Sequence, residues 1–273
     1  MSRLEPRPLE QWPAQLSGRL EGVFCDIDDT LTHDGRLVPE AFAALSALRS
    51  QGLKVVPVTG RPGGWVDQIA RLWPVDGVVG ENGGLWMWLD EQTGRLERRF
   101  AQSEDDRAAN RERLTRLGEQ ILARVPGAAL ASDQPYRDLD LAIDFCEDVP
   151  RLDDDAIEHI VAAFQQAGAT CKVSSIHVNG WFGTFDKLSG CRAFVRERWG
   201  VEVEALSESW AYVGDSANDE PMFAAFPLSI GVANVRDFLP RMTDWPTWIT
   251  RAEGGHGFAE AVDIWLAGRA SIR

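Results

Sequence analysis

The stretch that decides the fold is Gly22-Val23-Phe24-Cys25-Asp26-Ile27-Asp28-Asp29-Thr30-Leu31-Thr32. Its apolar residues run directly into three carboxylates within four positions, which is typical of a buried strand that ends at the edge of a sheet. Alternation along an extended chain predicts that Asp26 and Asp28 lie on one side and Ile27 on the other. Because closely spaced carboxylates repel each other, a cation among them would make their joint ionisation less costly. The pattern indicates a metal-assisted site in which one acid attacks and another moves protons; the alternative is a solvated acidic turn.

The composition restricts the classes of partner. The chain has 273 residues, 44% of them hydrophobic, with a formal net charge of -14. An acidic surface of this kind argues against nucleic acid or an anionic membrane as a general partner. No apolar run approaches the ~20 residues that a membrane-spanning helix needs. An anionic ligand would therefore need a local positive site formed by a metal, a lysine or backbone amides.

The N-terminal segment and the cysteines both favour a cytoplasmic location. Residues 1–21 contain no apolar segment of the kind that a signal peptide carries, and they are predicted to form a surface extension or a helix packed on the domain. The cysteines are scattered along the chain without a C-x-x-C pair, which is typical of reduced thiols in a reducing compartment. They are Cys25, Cys146, Cys171 and Cys191.

The first part of the chain alternates between strand and helix patterns. Strands are predicted at residues 22–28, 53–58 and 77–80, with helices at 39–51 and 64–73 between them. The same alternation returns from Lys187, with a helix to Trp199 and strands at 210–213 and 228–232. Such alternation predicts an α/β fold with a Rossmann-like parallel sheet and right-handed crossovers.

The pattern between these two parts is different. A hairpin is predicted at 85–100, helices at 107–125 and 153–167, and a strand at 139–146. A further strand pair, 171–178 and 181–185, is predicted around a turn at Asn179-Gly180. We therefore expect an inserted α+β cap domain at residues 85–186, with 1–84 and 187–273 forming the core domain.

Four motifs that can carry chemistry occur in order along the chain, and three of them follow predicted parallel strands. They are Asp26-Ile27-Asp28-Asp29-Thr30, Val58-Thr59-Gly60-Arg61, Lys187, and Val213-Gly214-Asp215-Ser216-Ala217-Asn218-Asp219. A hydroxyl, a glycine amide and a lysine suit phosphate oxygens. Each motif alone has a plainer interpretation as a turn, a solvated lysine or a helix N-cap. Together they favour a binding site, because ligands bind at the carboxyl ends of strands in open α/β sheets.

This constellation resembles the haloacid dehalogenase-like superfamily of phosphohydrolases over nearly the whole chain after the N-terminal segment. The strand-rich insertion between the second and third motifs is similar to the type IIB cap of the Cof-like, sucrose-phosphatase-like and trehalose-phosphatase-like enzymes. The turn Asn82-Gly83-Gly84 and the run from Gly214 to Asp219 are also similar to that subgroup. Asp29 is a departure, since many members carry glycine at this position; we expect its side chain to face away from the reacting centre.

The resemblance implies a role for each motif. Asp26 would be the nucleophile that forms an aspartyl-phosphate, and Asp28 the general acid and base. Mg²⁺ would be held by the Asp26 carboxylate, the Asp28 backbone carbonyl and Asp215. The remaining roles fall to two groups. Thr59, Gly60 and Lys187 would bind the phosphoryl oxygens, and Asn218 and Asp219 would orient water, Lys187 or both.

The cap is expected to bind the leaving group of the substrate and to exclude water. Polar side chains next to an aromatic face suit a sugar or polyol, and His177 and Asn179 share one face of their predicted strand. The candidates are Arg61, Arg137, His177, Asn179 and Trp181, with Trp65, Asp138 and Asp140 as further possibilities.

The function predicted from the sequence is a Mg²⁺-dependent phosphatase acting on a phosphorylated sugar or a similar small metabolite. Three alternatives stay open at this point: a sugar phosphomutase or other phosphotransferase, a non-catalytic phosphate-binding protein on the same fold, and a receiver-type phosphoacceptor. Neither the particular substrate nor the oligomeric state follows from the sequence.

Overall fold

A parallel sheet forms the centre of the protein in the computed structural model, which describes residues 5–174 and 176–272. Every pairing in this sheet is parallel, as the alternation of strands and helices predicts. We call it the core sheet; its strands, in spatial order, are Arg7–Pro8, Trp248–Ile249, Leu228–Gly231, Trp210–Gly214, Gly22–Cys25 and Lys54–Pro57. The predicted α/β class with a Rossmann-like sheet is confirmed.

Helices cover both faces of the core sheet. Alternate residues of the strand Gly22–Cys25 pack into two different clusters, with Val23 and Cys25 in one and Phe24 in the other. Both faces of the strand are buried, which explains its continuous apolar sequence. Two α-helices, Glu104–Arg124 and Asp154–Gln166, belong to the inserted region. The other α-helices of the described residues are Ala14–Arg19, Pro39–Ser50, Gly63–Leu72, Lys187–Trp199, Val203–Leu206, Glu220–Ala225 and Gly254–Ile272.

The predicted hairpin forms, but it pairs with the core. Leu85–Leu89 and Leu96–Phe100 are antiparallel to each other, and the first of them also pairs with Val78–Gly80. Val79 in turn bridges Val58, just beyond the core-sheet strand Lys54–Pro57. Sheet pairing therefore joins residues 85–100 to the core side, and the domain boundary at residue 85 stays a prediction.

A second, antiparallel sheet follows in the inserted region, and we call it the cap sheet. Its strands, in spatial order, are Thr170–Val173, His177–Trp181, Asp140–Asp144 and Ala129–Leu130. Its inner face packs on the helices Glu104–Arg124 and Asp154–Gln166 through a separate apolar cluster that includes Leu117, Phe164 and Val178. A short hairpin, Thr32–His33 with Arg36–Leu37, completes the strands.

The predicted turn at Asn179-Gly180 is wrong. Both residues lie inside the strand His177–Trp181, and the chain reverses before His177. The glycine has a packing reason, because a Cβ at position 180 would lie 2.1 Å from a ring carbon of Phe164. An Asn-Gly pair therefore marks a close approach of helix to strand here, where the local pattern indicates a turn.

The two ends of the chain pack against each other. The strand Arg7–Pro8 forms an edge of the core sheet, and the helix Ala14–Arg19 lies against Gly254–Ile272, a helix that the sequence patterns did not predict. The expectation of a packed N-terminal helix holds for this part of the segment, while residues 1–4 lie outside the described residues. Ser175, within the predicted strand 171–178, also lies outside them. No helix in the described part of the chain is both long and apolar enough to cross a membrane.

Candidate active site

The predicted motifs meet at the carboxyl edge of the core sheet. Asp26 directly follows Gly22–Cys25, and Asp215 directly follows the neighbouring strand Trp210–Gly214, which pairs with it in parallel. Carboxylate oxygens of Asp26, Asp215 and Asp219 all lie within 4.8 Å of one another, and all three residues are buried. Side chains separated by nearly two hundred residues thus share one small volume because parallel neighbours end at the same edge.

Lys187 supplies the positive charge of this cluster. Its Nζ donates hydrogen bonds to Asp26 Oδ1 at 2.7 Å and to Asp219 Oδ1 at 2.7 Å. The ammonium also reaches Asn218 Oδ1 at 3.3 Å. Lys187 is the first residue of its helix, whose N-terminus is capped by Asp186 through the amide of Ser189. The Asp186 N-cap fixes where this helix begins and so places the Lys187 ammonium between the two acids.

Asp219 is saturated by hydrogen bonds. Its Oδ1 accepts from Lys187 and from the Tyr212 hydroxyl, and its Oδ2 accepts from the backbone amides of Asp215 at 3.0 Å and Ser216 at 3.2 Å. A carboxylate with both oxygens engaged in this way is poorly suited to bind a metal directly. Its contacts suit the predicted role of orienting Lys187 and the loop that carries Asp215.

Burial makes negative charge costly in this cluster. It raises the pKa of Asp26 to about 7, although the Lys187 ammonium acts in the opposite direction. Burial and the Asp26 and Asp219 carboxylates likewise hold the pKa of Asp215 well above its usual range. Burial lowers the pKa of Lys187, but the Asp219 and Asp26 carboxylates outweigh it, so the pKa stands above the ordinary lysine value. One buried cation is thus shared among three buried acids.

The donor set fits a hard divalent cation. The hydrogen bonds to the Asp215 carboxylate are long: Thr30 Oγ1 donates to Oδ1 at 3.4 Å and Asn234 Nδ2 donates to Oδ2 at 3.4 Å. A carboxylate has more lone pairs than these two contacts use, and Asp215 presents an oxygen within 4.8 Å of one on Asp26. Closely spaced carboxylate oxygens are the ligands that Mg²⁺ prefers, and a cation there would relieve their repulsion.

Asp28 is held by Arg61, which follows the second motif. Arg61 Nε donates to the two Asp28 carboxylate oxygens at 2.9 and 3.1 Å. The same guanidinium donates to Glu147 Oε1 at 2.9 Å and lies 3.5 Å from Asp133 Oδ2, both in the inserted region. Arg61 is buried, and its face stacks on the Trp65 ring at 4.5 Å. One arginine therefore links a candidate catalytic acid to the cap.

Polar residues of the inserted region close the other side of the site. Arg137 Nη1 donates to the Gly60 carbonyl at 2.8 Å and to Asp140, and Asn179 Nδ2 donates to Asp140 Oδ2 at 2.9 Å. His177 Nε2 lies 2.8 Å from Glu147 Oε2. The cleft is lined from the core by Asp26, Asp28, Gly60, Arg61, Asn82, Asp215, Ser216 and Asn218, and from the cap by Arg137, Ser174, Ile176, His177 and Asn179.

Some predicted contact residues lie elsewhere. Trp181 is fully buried, its ring stacks on Phe185 at 5.4 Å, and its indole nitrogen donates to the Phe185 carbonyl. Its neighbours are core side chains and it is not part of the cleft lining, so it does not present the expected aromatic face to a substrate. The carboxylate of Asp138 lies 3.5 Å from Arg111 and away from the cleft lining. Thr59 is different, because it adjoins Gly60 of the cleft lining. It is fully buried, and its Oγ1 accepts from the Arg61 amide at 3.0 Å, which leaves the hydroxyl proton to donate to a ligand.

The departure at Asp29 has a backbone explanation. Asp29 has a φ of 56°, in the left-handed region that favours glycine. Aspartate is among the few other residues that tolerate this conformation. The loop after Asp28 can therefore keep the turn for which glycine is the usual residue.

Several residues of the site carry no clear sequence signal. The carboxylates of Asp133 and Glu147 reach Arg61 from distant segments, and no local pattern distinguishes them from surface acids. Glu81 is different, because it directly precedes the turn Asn82-Gly83-Gly84, and that position is a signal that could have identified it. Its buried carboxylate accepts from the amides of Gly63, Asp138, Leu139 and Asp140, at distances of 2.6 to 3.2 Å.

Known proteins resemble this chain in sequence and in fold. A family model described as haloacid dehalogenase-like hydrolase matches residues 23–105. The chain is 32% identical over 254 residues to a phosphoglycolate phosphatase of Pyrobaculum neutrophilum, covering 91% of this chain and 96% of the relative. A solved structure from Thermoplasma acidophilum is similar with a TM-score of 0.67 at 18% identity, covering 90% of this chain and 98% of the other. The sucrose-phosphatase of Synechocystis, solved with sucrose and phosphate, is similar with a TM-score of 0.61 at 15% identity, with the same coverage of 90% and 98%.

Proposed function

This chain belongs to the haloacid dehalogenase-like hydrolases and is a phosphoric monoester hydrolase; from that premise we propose a Mg²⁺-dependent phosphatase of small phosphorylated metabolites. The observation that carries the proposal is the contact of Lys187 Nζ with Asp26 Oδ1 at 2.7 Å, inside a cluster that also holds Asp215. A nucleophilic carboxylate, a cation for phosphoryl oxygens and a second acid for a metal are the parts that phosphoryl transfer requires.

In the proposed reaction the Asp26 carboxylate attacks phosphorus, and the bond to the leaving oxygen breaks. Asp28 donates a proton to that oxygen, and then accepts one from the water that hydrolyses the aspartyl-phosphate. Arg61 holds the carboxylate of Asp28 at the cleft, while Lys187, Thr59 and the Gly60 amide bind phosphoryl oxygens. Mg²⁺, held by Asp26, Asp215 and the Asp28 backbone carbonyl, would supply the positive charge that offsets the charge of the phosphoryl group.

The substrate we favour is a small phosphomonoester that bears a carboxylate, such as 2-phosphoglycolate. The cleft is narrow, with an open volume of about 20 Å³, which favours a small substrate over a bulky one. Arg61 and Arg137 line it, and guanidinium groups suit a carboxylate as well as a phosphate. Both are already paired with protein carboxylates, so a carboxylate of the substrate would compete with these acids for them. The name of the Pyrobaculum relative supports the same choice. A sugar phosphate is the second candidate, because His177 and Asn179 lie together on the cap strand with groups that can bind hydroxyls.

The test is release of inorganic phosphate from 2-phosphoglycolate, glucose 6-phosphate and p-nitrophenyl phosphate, with Mg²⁺ and with EDTA. We expect turnover only with the metal, and the highest kcat/KM for 2-phosphoglycolate. Asp26→Asn should abolish it, while Asp34→Asn, whose side chain is 95% exposed, should match the wild type. Undiminished turnover by Asp26→Asn would contradict the assigned nucleophile, and an isomerised phosphosugar in place of free phosphate would favour a mutase.

A further inference from the structure

The cleft contains a buried side-chain donor that the reaction described above does not use. Asn82 is 4% exposed and lines the cleft together with Asp26 and Asp28. Its Nδ2 has no hydrogen-bond partner among residues 5–174 and 176–272. Buried polar groups are nearly always paired, because an unpaired one forfeits its hydrogen bonds with water. An unpaired donor on the wall of a cleft is therefore a position where a ligand atom can complete the pairing.

The donor lies beside the turn expected to bind phosphate. A Cβ placed on Gly60 would be 3.2 Å from both Nδ2 and Oδ1 of Asn82, so the side-chain amide lies directly beside this glycine. Any side chain at position 60 would press on this amide, and glycine leaves it open. The amide is therefore next to the backbone of the Thr59-Gly60 turn, on the phosphoryl side of the cleft.

The backbone holds Asn82 in an unusual conformation. Glu81, Asn82 and Gly83 have φ angles of 45°, 54° and 97°, a run of three left-handed residues. Such conformations are unfavourable for residues other than glycine and persist where the surroundings impose them. Here the backbone N–H of Asn82 donates to the Thr59 carbonyl at 3.0 Å. The Glu81 carboxylate, bound by four backbone amides, fixes the preceding residue.

The following residue is fixed by packing. A Cβ at Gly83 would lie 1.9 Å from the Asp186 carbonyl, directly before Lys187. The loop that carries Asn82 is thus packed against the start of the helix that carries the cation of the cluster. The Asn82 side chain is therefore positioned before any ligand arrives, which is the condition for a strong contact in a transition state.

We propose that the Asn82 side-chain amide binds the phosphoryl group of the substrate, donating a hydrogen bond to one of its non-bridging oxygens. The proposal rests on the proposed function for the reaction, and it adds a substrate-binding residue to Lys187, Thr59 and Gly60. It places the contact on the phosphoryl group and not on the leaving group because of the position of the amide beside Gly60. Every phosphomonoester, and inorganic phosphate itself, should then depend on this amide.

The experiment uses two variants of the full chain. Asn82→Gly removes the amide and accepts the left-handed backbone, and Asn82→Asp keeps the shape but replaces the donor by a negative charge. We measure kcat/KM for p-nitrophenyl phosphate and for 2-phosphoglycolate, and the inhibition constant of inorganic phosphate. A lost hydrogen bond to a charged group predicts a change of roughly 10- to 100-fold in each for Asn82→Gly. Asn82→Asp should be worse, because its carboxylate repels the phosphoryl group.

The control and the contrary outcomes separate this inference from the proposed function. Asp34→Gly replaces another left-handed residue, with a φ of 49° and an exposed side chain, and should match the wild type. Unchanged constants for Asn82→Gly overturn the proposal, and so does a loss confined to 2-phosphoglycolate, which would place the amide on the leaving group.

If the wild type hydrolyses no ester, the proposed function fails. Calorimetric titration of wild type and Asn82→Gly with inorganic phosphate in Mg²⁺ still decides the role of Asn82. If Asn82→Gly does not fold, as judged by circular dichroism, the decision passes to Asn82→Asp.

Discussion

Lys187 Nζ lies 2.7 Å from Asp26 Oδ1 although 161 positions separate the two residues in the chain. The inserted region lies entirely between them, so the site exists only when the chain has left the core sheet and returned to it. The pair is buried, with side-chain exposures of 3% and 6%. A buried charge without its partner is strongly destabilising, which makes this contact important for the fold as well as for the reaction.

Replacing Lys187 should therefore impair stability and activity together. We expect Lys187→Met to lower the free energy of unfolding by about 3–5 kcal/mol, because Asp26 and Asp219 lose their shared cation. Phosphatase activity should fall by at least a hundredfold, since the phosphoryl oxygens would lose the cation that we propose binds them. Urea unfolding and phosphate release measure the two effects.

Two further variants make this prediction specific. Lys54→Met removes an exposed ammonium that lies 3.1 Å from Asp76, and should cost no more than about 1 kcal/mol. In the double variant Lys187→Met, Asp219→Asn, neutralising one stranded acid should restore part of the lost stability. Equal losses for Lys187→Met and Lys54→Met would contradict the claim that burial is the cause.

The sequence predicts the core of the site because its signals are local. A buried strand followed at once by polar residues appears at Asp26, Thr59 and Asp215, and the parallel arrangement then requires the three motifs to meet. The contacts of the cap are not local: Arg61 and Glu147 are 86 positions apart and have no pattern that links them. Asn179-Gly180 shows the opposite error, because a local turn signal was outweighed by the packing of Phe164 on Gly180.

Glu147 should stabilise the protein in a pH-dependent manner. The His177 imidazole, whose Nε2 lies 2.8 Å from Glu147 Oε2, lowers the pKa of Glu147 from 4.5 to about 2. The Arg61 guanidinium acts in the same direction and burial acts in the opposite one. A depressed carboxyl pKa means that the folded state favours the charged form, so the stabilisation is present above pH 4.5 and is lost as the pH falls towards 2. Asp28 and Asp133 also face Arg61: its Nη2 lies 2.9 Å from Asp28 Oδ1, and its Nη1 lies 3.5 Å from Asp133 Oδ2.

The measurement compares wild type with Glu147→Gln by urea unfolding at pH 7, 5 and 3. The difference in the free energy of unfolding should be largest at pH 7, begin to shrink near pH 4.5 and be smaller at pH 3. Glu208→Gln removes an exposed carboxylate, 82% exposed and 3.4 Å from Arg19, and should show little effect at any of these pH values. A difference for Glu147→Gln that does not change with pH would contradict an electrostatic origin.

Glu81 should be essential for the loop that joins the two regions. Its carboxylate accepts hydrogen bonds from the amides of Asp138, Leu139 and Asp140, and from Gly63 on the core side. Glu81→Gln would turn an NH₂ group towards backbone donors and leave at least one amide unpaired, at a cost of about 1–3 kcal/mol. Glu91→Gln is the matched control, because Glu91 is 76% exposed on the hairpin.

Hydrogen exchange tests the same prediction locally. In Glu81→Gln the amides of residues 138–140 should exchange faster than in the wild type, and those of the core-sheet strand Gly22–Cys25 should not. Protection of residues 138–140 equal to the wild type would show that the carboxylate does not hold this segment.

A pair of glycine substitutions should have opposite signs within the cap. Gly180→Ala would place a methyl group 2.1 Å from a ring carbon of the buried Phe164, so strand or helix must move, at a cost of about 1–3 kcal/mol or more. Gly118→Ala lies in the helix Glu104–Arg124, where its methyl group would make an ordinary contact of 3.4 Å with Leu141. It should stabilise the protein by roughly 0.5–1 kcal/mol, because alanine loses less backbone freedom in a helix. Thermal unfolding measures both changes. A stabilising Gly180→Ala would mean that Phe164 does not pack on this strand. The Asn179-Gly180 pair would then have no packing explanation.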